Sequence, residues 1–243
     1  MTAPRQRVDR LLVERGLFES RTKAQTAIDA GLVTAAGVTV RKASEELPVD
    51  AELRATPAHP YVSRGGLKLA AALDRFAFDP RGHICLDVGA STGGFTQVLL
   101  ERAATHVYAV DVGRNQLHPS LRDIAGITVL ETTDIRDVQA SQFDEAPTLV
   151  AVDVSFISLK LVLPAVTGLA AAKAQLVVLI KPQFEAGRAH LKKGIVRDAA
   201  LQRAVCDDVA ATTRALGWHT IGIVASPIAG GDGNREFLLG AER

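Results

Sequence analysis

From Ile84 onward, short apolar runs rich in β-branched residues alternate with segments whose apolar positions recur every three or four residues. ICLDV, HVYAVD, ITVLE, LVAVD and QLVVLI have the length and composition of buried strands, while GGFTQVLLERA and ISLKLVLPAVTGLAA have helical spacing. A long helical pattern from about residue 198 to 217 leads to two closing strands, WHTIGIVAS and REFLLGA. Strand and helix in alternation predict a doubly wound, Rossmann-like α/β domain around a mostly parallel sheet of seven strands.

The beginning of the chain follows a different rhythm. In RVDRLLVERGLFESRTKAQTAIDA, Val8, Leu11 and Leu12 form one apolar face and Ala24, Ala27 and Ile28 another. Gly16 ends the first helical pattern and Ser20 is placed to cap the second. Short β-type pieces follow around LVTAAGVTV and ELRAT. This predicts a small α+β domain over residues 5–58, a linker over 59–66 and the larger domain over 67–243; TPAHPYVSRGGLK, with two prolines and a glycine pair, suits the joint.

Charge is balanced over the whole chain, 28 basic residues against 27 acidic, so a nucleic-acid surface has to be local. It is local at the start: Arg5, Arg7, Arg10, Arg15, Arg21, Lys23, Arg41 and Lys42 face only Asp9, Glu14, Glu19 and Asp29. Cys85 and Cys206 lie inside apolar patterns with no metal-ligand spacing, which predicts inert core thiols in a reducing compartment and no metal site. The start MTAPRQRVDR has no secretory apolar region. Residues 161–180 are apolar enough to raise a membrane span, but Lys173 would cost roughly 3 kcal/mol near its centre. Pro164, Gly168 and Gln175 fit a buried helix, a turn and a strand instead.

The chemistry begins after the first strand of the sheet. DVGASTGGF is a glycine-rich turn opening a helix, the place where open α/β sheets bind ligands. A dinucleotide fingerprint needs glycine two places after Gly89, and Ser91 stands there; no GK[ST] follows for a triphosphate. A nucleoside without phosphates remains. Asp111, 22 residues beyond Gly89 at the end of the second strand, is placed for ribose hydroxyls, and Asp134 for an adenine edge. This is the layout of S-adenosylmethionine enzymes. The fourth strand ends on Asp153 and the fifth on Lys181, so an ammonium and a carboxylate should face one another beside the cofactor, an arrangement suited to deprotonating a weakly acidic hydroxyl.

Taken together, RVDRLLVERGLFESRTKAQTAI, YVSRGGLKLAAAL, LDVGASTGGFT, VDVSFISL, IKPQFEAGR, KKGIVRD and GNREF resemble the TlyA family of FtsJ-type ribosomal RNA 2′-O-methyltransferases, also called hemolysins. The resemblance covers nearly the whole chain. It implies methylation of a cytidine ribose in ribosomal RNA, with an S4-like RNA-binding domain in front of the methyltransferase domain. It implies a catalytic tetrad of Lys68, Asp153, Lys181 and Glu236, with Lys181 handling the ribose proton, Asp153 orienting it, and Lys68 and Glu236 positioning the ribose. The cofactor residues are then Asp87, Gly89, Ala90, Ser91, Thr92, Gly93, Gly94, Phe95, Asp111, Asp134 and Ile135. RNA contacts fall on Arg5, Arg7, Arg21 and Lys23, on Arg64, and on Arg188, Lys192 and Lys193 in GRAHLKKGIVR.

Two departures from the family pattern stand out. TTDIR has Asp134 where relatives often carry asparagine, and the chain ends soon after GNREFLL, a feature of forms that modify the large subunit alone. The expectation is therefore a cytoplasmic monomer acting on ribosomal RNA or a ribosomal subunit, without stable membrane association. Two rival classes are a membrane-damaging hemolysin and a non-catalytic RNA-binding or ribosome-assembly protein. The first needs a spanning or amphipathic segment, and the second gives no reason for two lysines and two acids at strand ends.

Overall fold

The computed structural model describes residues 4–187, 190–191, 193–230 and 233–243. The chain divides into two compact units, Met1–Pro60 and Tyr61–Arg243. In the N-terminal unit, β1 (Arg5–Arg7) pairs antiparallel with β4 (Glu46–Pro48), and β2 (Val33–Ala35) pairs with β3 (Val38–Thr39) and β5 (Leu53–Ala55). Helices α1 (Val8–Glu14) and α2 (Arg21–Asp29) pack through Val8, Leu12, Ala24, Ala27 and Ile28, the faces predicted from spacing. Gly16 takes φ +68°, and the Ser20 side chain accepts the Lys23 N–H, as their positions suggested.

The second unit begins with α3 (Gly65–Phe76), a helix that the glycine pair and the prolines upstream had concealed. There follow β6 (Ile84–Val88), α4 (Gly94–Glu101), β7 (His106–Val110), the single turn α5 (Pro119–Arg122), β8 (Ile127–Leu130), β9 (Leu149–Val152) and α6 (Leu159–Leu169). The unit closes with β10 (Gln175–Ile180), the single turn α7 (Pro182–Glu185), α8 (Ala199–Ala215), β11 (His219–Ala225) and β12 (Phe237–Glu242). The strands form one seven-stranded sheet in the order β11-β12-β10-β9-β6-β7-β8, in which only β12 runs antiparallel to its neighbours. The predicted mostly parallel sheet is what the chain builds.

Side chains of the central strands alternate between two cores. Leu86, Val150, Val152, Leu176 and Val178 pack against α6 and α8, while Cys85, Leu149, Ala151, Val177 and Leu179 pack against α3 and α4. Burial on both faces is why these strands read as unbroken apolar runs. Each fully buried leucine in these layers stabilises the fold by about 1.5–3 kcal/mol. Gly240 in β12 lets the Phe76 ring reach the sheet, since a Cβ there would lie 2.5 Å from the ring. Among the described residues no helix is long and apolar enough to cross a membrane; residues 161–180 became α6, a turn and β10.

Candidate active site

The carboxyl ends of the parallel strands meet at one rim. The Asp153 N–H donates to the Val88 carbonyl at 2.8 Å, placing the acid that follows β9 beside the turn that follows β6. At Gly89, φ is +84° and a Cβ would lie 2.3 Å from the Asp153 carbonyl oxygen, so only glycine lets these two strand ends approach so closely. Lys181 follows β10 in extended conformation, φ −113° and ψ 97°, ahead of Pro182 at the first position of α7. Proline disfavours helical backbone in the residue before it, and so holds the lysine at the strand end instead of letting the helix absorb it.

Antiparallel β12 delivers the fourth charge. Ile180 pairs with Phe237, so Lys181 and Glu236 are the next residues outward on adjacent strands. Lys68 comes from α3, whose predicted place was in or near a linker. Lys68 Nζ donates to Glu236 Oε2 at 2.6 Å, with side-chain exposures of 11% and 3%. Lys181 Nζ lies 2.5 Å from Asp153 Oδ1 and donates to the Ser155 hydroxyl at 2.9 Å. The Lys181–Asp153 contact is a tight charge contact without an in-line hydrogen bond at that oxygen. All four predicted tetrad residues thus fall into two ion pairs. Lys68 and Asp153 line the same cavity of about 230 Å³, together with Arg64, Ser91 and Ile228. A buried ion pair is a poor stabiliser, because desolvation offsets its attraction, and here the buried Lys68–Glu236 pair stands beside the partly buried Lys181–Asp153 pair at one cavity.

A second cavity of about 420 Å³ shares Gly89, Ser91 and Asp153 with the first. Its wall includes Asp111, Val112, Gln116, Asp134, Ile135 and Phe156. Asp111 accepts the Ser91 N–H through Oδ2 and the Gly113 N–H through Oδ1, both at 2.7 Å, which fixes its carboxylate at the cavity edge. Asp134 is held by Arg136, by side chain and then by backbone N–H, and its carboxyl drops to about 2. Its carboxylate therefore lines the cavity already engaged. Arg136 is the residue to which the unusual acid in TTDIR answers.

Other predicted cofactor residues divide by role. Ala90, Thr92, Gly94 and Phe95 line the smaller cavity, and Ile135 the larger. Gly93 lines neither; at φ +95° it caps α4 and leaves room for Leu117 and Leu121, which a Cβ would meet at 2.7 and 2.5 Å. Asp87 is wholly buried beneath the turn, where Oδ2 accepts the Thr96 hydroxyl at 2.6 Å and burial raises its carboxyl to about 7.

Of the predicted RNA residues, Arg64 lies at the mouth of the smaller cavity, before α3. Arg5, Arg7, Arg21 and Lys23 are on the N-terminal unit, Arg7 and Arg21 half-exposed and both bonded to Asp9. Lys193 is exposed; Arg188 and Lys192 lie outside the described residues. Phe156 was missed by sequence reasoning. It is 90% exposed at φ +65°, its ring 4.9 Å from that of Phe184, and it stands at the lip of the larger cavity. An apolar ring held in water beside a polar site is a signal, though VDVSFIS reads simply as a strand exit until the fold is seen. Such a ring can stack on a nucleic-acid base.

Comparison with known proteins finds relatives along nearly the whole chain. The S4 domain profile covers residues 6–53 and the FtsJ-like methyltransferase profile residues 61–243. The chain is 44% identical to the 16S/23S rRNA (cytidine-2′-O)-methyltransferase TlyA of Mycobacterium tuberculosis, over 98% of this chain and 90% of the relative. It is 41% identical to the 23S rRNA (cytidine-2′-O)-methyltransferase TlyA of Campylobacter jejuni, over 73% and 69%. A solved structure from Streptococcus thermophilus, carried under a provisional hemolysin name, superposes with a TM-score of 0.78 at 42% identity, covering 99% of this chain and 89% of that one.

Proposed function

The chain belongs to the FtsJ-like methyltransferase family, in the TlyA group that joins it to an S4 domain, and on that premise we propose that it methylates the 2′-oxygen of a cytidine ribose in ribosomal RNA, using S-adenosylmethionine. The observation that carries this reading is the two ion pairs, one buried and one partly buried, gathered at one small cavity next to a nucleoside-sized one.

The larger cavity fits the cofactor. Asp111 retains acceptor capacity for ribose hydroxyls, Val112 and Ile135 offer apolar walls for an adenine, and Gly89 lets backbone lie close to the ligand. When bound, S-adenosylmethionine supplies an electrophilic methyl group.

The chain's own residues do the rest. Lys181 Nζ, fixed by Asp153 and Ser155, acts on the 2′-hydroxyl either as a neutral amine that takes its proton or as an ammonium that stabilises the negative charge developing on the 2′-oxygen. Asp153 orients that amine and keeps it from turning into solvent. Lys68 and Glu236 hold the ribose in place, and because both are nearly dry, they cost little reorganisation when charge develops. Phe156 offers its face to the target base, and the S4 domain anchors the RNA by phosphate contacts. The proposed substrate is a cytidine of the large subunit, as named for the Campylobacter jejuni relative, with both subunits, as named for the Mycobacterium tuberculosis relative, as the second reading; the proposed setting is the cytoplasm.

The test is transfer of labelled methyl from S-adenosylmethionine to unmodified ribosomal subunits of each size, beside Lys181→Ala. Label should appear on a cytidine ribose of the large subunit, and the variant should lose roughly 10²–10⁴-fold in rate while binding the cofactor as before. Wild-type protein that binds the cofactor and labels neither subunit would overturn the substrate. Label on the small subunit as well would overturn the restriction to one.

A further inference from the structure

We propose that Asp9 is a template that holds Arg7 and Arg21 as a preformed phosphate-binding pair, a positioning residue for RNA instead of a counter-charge that weakens the basic face. The inference rests on the reading of the N-terminal unit as the RNA anchor.

Asp9 has no exposed surface. Its Oδ1 accepts Arg7 Nε at 3.1 Å; its Oδ2 accepts Arg7 Nη2 at 3.0 Å, Arg21 Nη2 at 2.8 Å, Arg21 Nε at 3.2 Å and Gln25 Nε2 at 2.8 Å. Arg7 alone makes a complete two-pronged pair with this carboxylate, which is what burial of one acid requires. Arg21 is therefore surplus to neutralisation, and the cluster keeps one net positive charge. Lys23 pairs with Glu19 at 2.5 Å.

The two guanidiniums turn their inner edges to Asp9 and keep their outer edges for water. Their side chains are 39% and 48% exposed, and among the described residues neither Nη1 has a hydrogen-bond partner. A guanidinium is a planar fork matched to two phosphate oxygens, and locking it by its inner edge removes rotamer freedom before the ligand arrives. The Arg7 hydrogen bond in particular keeps the Asp9 carboxyl far below the usual range, so the template stays charged at any pH at which RNA binds.

Charge counting and the template give opposite signs for one substitution. Asp9→Asn raises the net charge of the RNA face by one and keeps the side-chain shape. If Asp9 only dilutes a basic patch, RNA binds tighter. If Asp9 positions the arginines, RNA binds about tenfold weaker despite the added charge.

The measurement is affinity of the full-length protein for a ribosomal RNA fragment across a salt series, with thermal melting and S-adenosylmethionine binding as controls of the fold. Arg21→Lys, which keeps the charge and loses the fork, should weaken binding as well, and it decides the matter if Asp9→Asn melts early. The double variant Arg7→Glu with Arg21→Glu should weaken binding most and flatten the salt slope. Folded Asp9→Asn that binds as well as or better than wild type, or Arg21→Lys that binds unchanged, overturns the template while leaving the anchor standing. An unchanged double variant removes the anchor, and the template with it.

Discussion

Glu131, just past β8, accepts the backbone N–H groups of Asn115, Gln116 and Leu117 at 2.8, 2.6 and 2.8 Å, and the Arg122 guanidinium at 2.9 Å. That one carboxylate organises the loop between β7 and α5, which carries Gly113 and Gln116 into the wall of the larger cavity. The Leu117 N–H above all, then Arg122 and the two other N–H groups, bring its carboxyl down to about 2 from an ordinary 4.5. A depressed folded value means that the anchoring is fully present above about 4.5 and is lost as pH falls through about 2. Glu131→Gln should therefore weaken S-adenosylmethionine about tenfold with little change in turnover at saturation, and it should flatten the acid limb of a melting curve taken between pH 5 and 2. Calorimetric titration showing equal affinity in the variant would mean that the loop holds itself. None of this was legible in the chain, because Glu131 looks like any acid at a strand end until β8 brings it under three amides. Asp9 is similar: its partners at positions 7, 21 and 25 meet only when α1 and α2 pack, so a count of charges treats Arg7 and Arg21 as free.

Strands β6, β9 and β10 were the most readable elements, since burial on both faces leaves nearly unbroken apolar runs, Asp87 in β6 and Gln175 at the start of β10 being their polar positions. Helix α3 was not, because a helix opening on two glycines lacks both a capping side chain and early propensity; packing of Leu69, Leu73 and Phe76 on the sheet makes it form. The three-residue strands β1 and β4 escaped for a plainer reason, being too short to show a period. The turn at Gly89 was located from sequence, but not why it needs glycine. Gly82 and Gly89 both take positive φ, +75° and +84°, yet a Cβ at Gly82 meets nothing within 4 Å and one at Gly89 runs into the Asp153 carbonyl. Gly82→Ala should cost about 1–2 kcal/mol, the strain of the left-handed backbone alone. Gly89→Ala should cost a further 1–3 kcal/mol or so from overlap and should lose cofactor binding. Thermal melting would test the difference, and equal losses would mean that the approach of these two strand ends is not constrained.

On the proposed function, the two compact units of the chain divide the work between affinity and chemistry. A protein consisting of residues 61–243 should fold, bind S-adenosylmethionine as the whole chain does, and bind RNA more weakly with a shallower dependence on salt, by about 0.9 in slope for each phosphate that is no longer neutralised. Filter binding at several salt concentrations would show it; an unchanged slope would place the phosphate-binding residues on the larger unit. The position of β12 has a consequence for how activity arises. This strand sits between β10 and β11, although both precede it in the chain, so β11 cannot join the sheet until β12 has entered the slot. The ion pair from Lys68 to Glu236 spans 168 residues and is made only by that entry. Such long closures come late in folding, after local structure has formed. A half-folded molecule can therefore already hold its cofactor loops and both cores in outline, yet have no complete set of charges with which to act. On the proposed mechanism the set of four charges is complete only with the last strand in place, and the Lys68–Glu236 pair serves as a built-in witness that folding is finished.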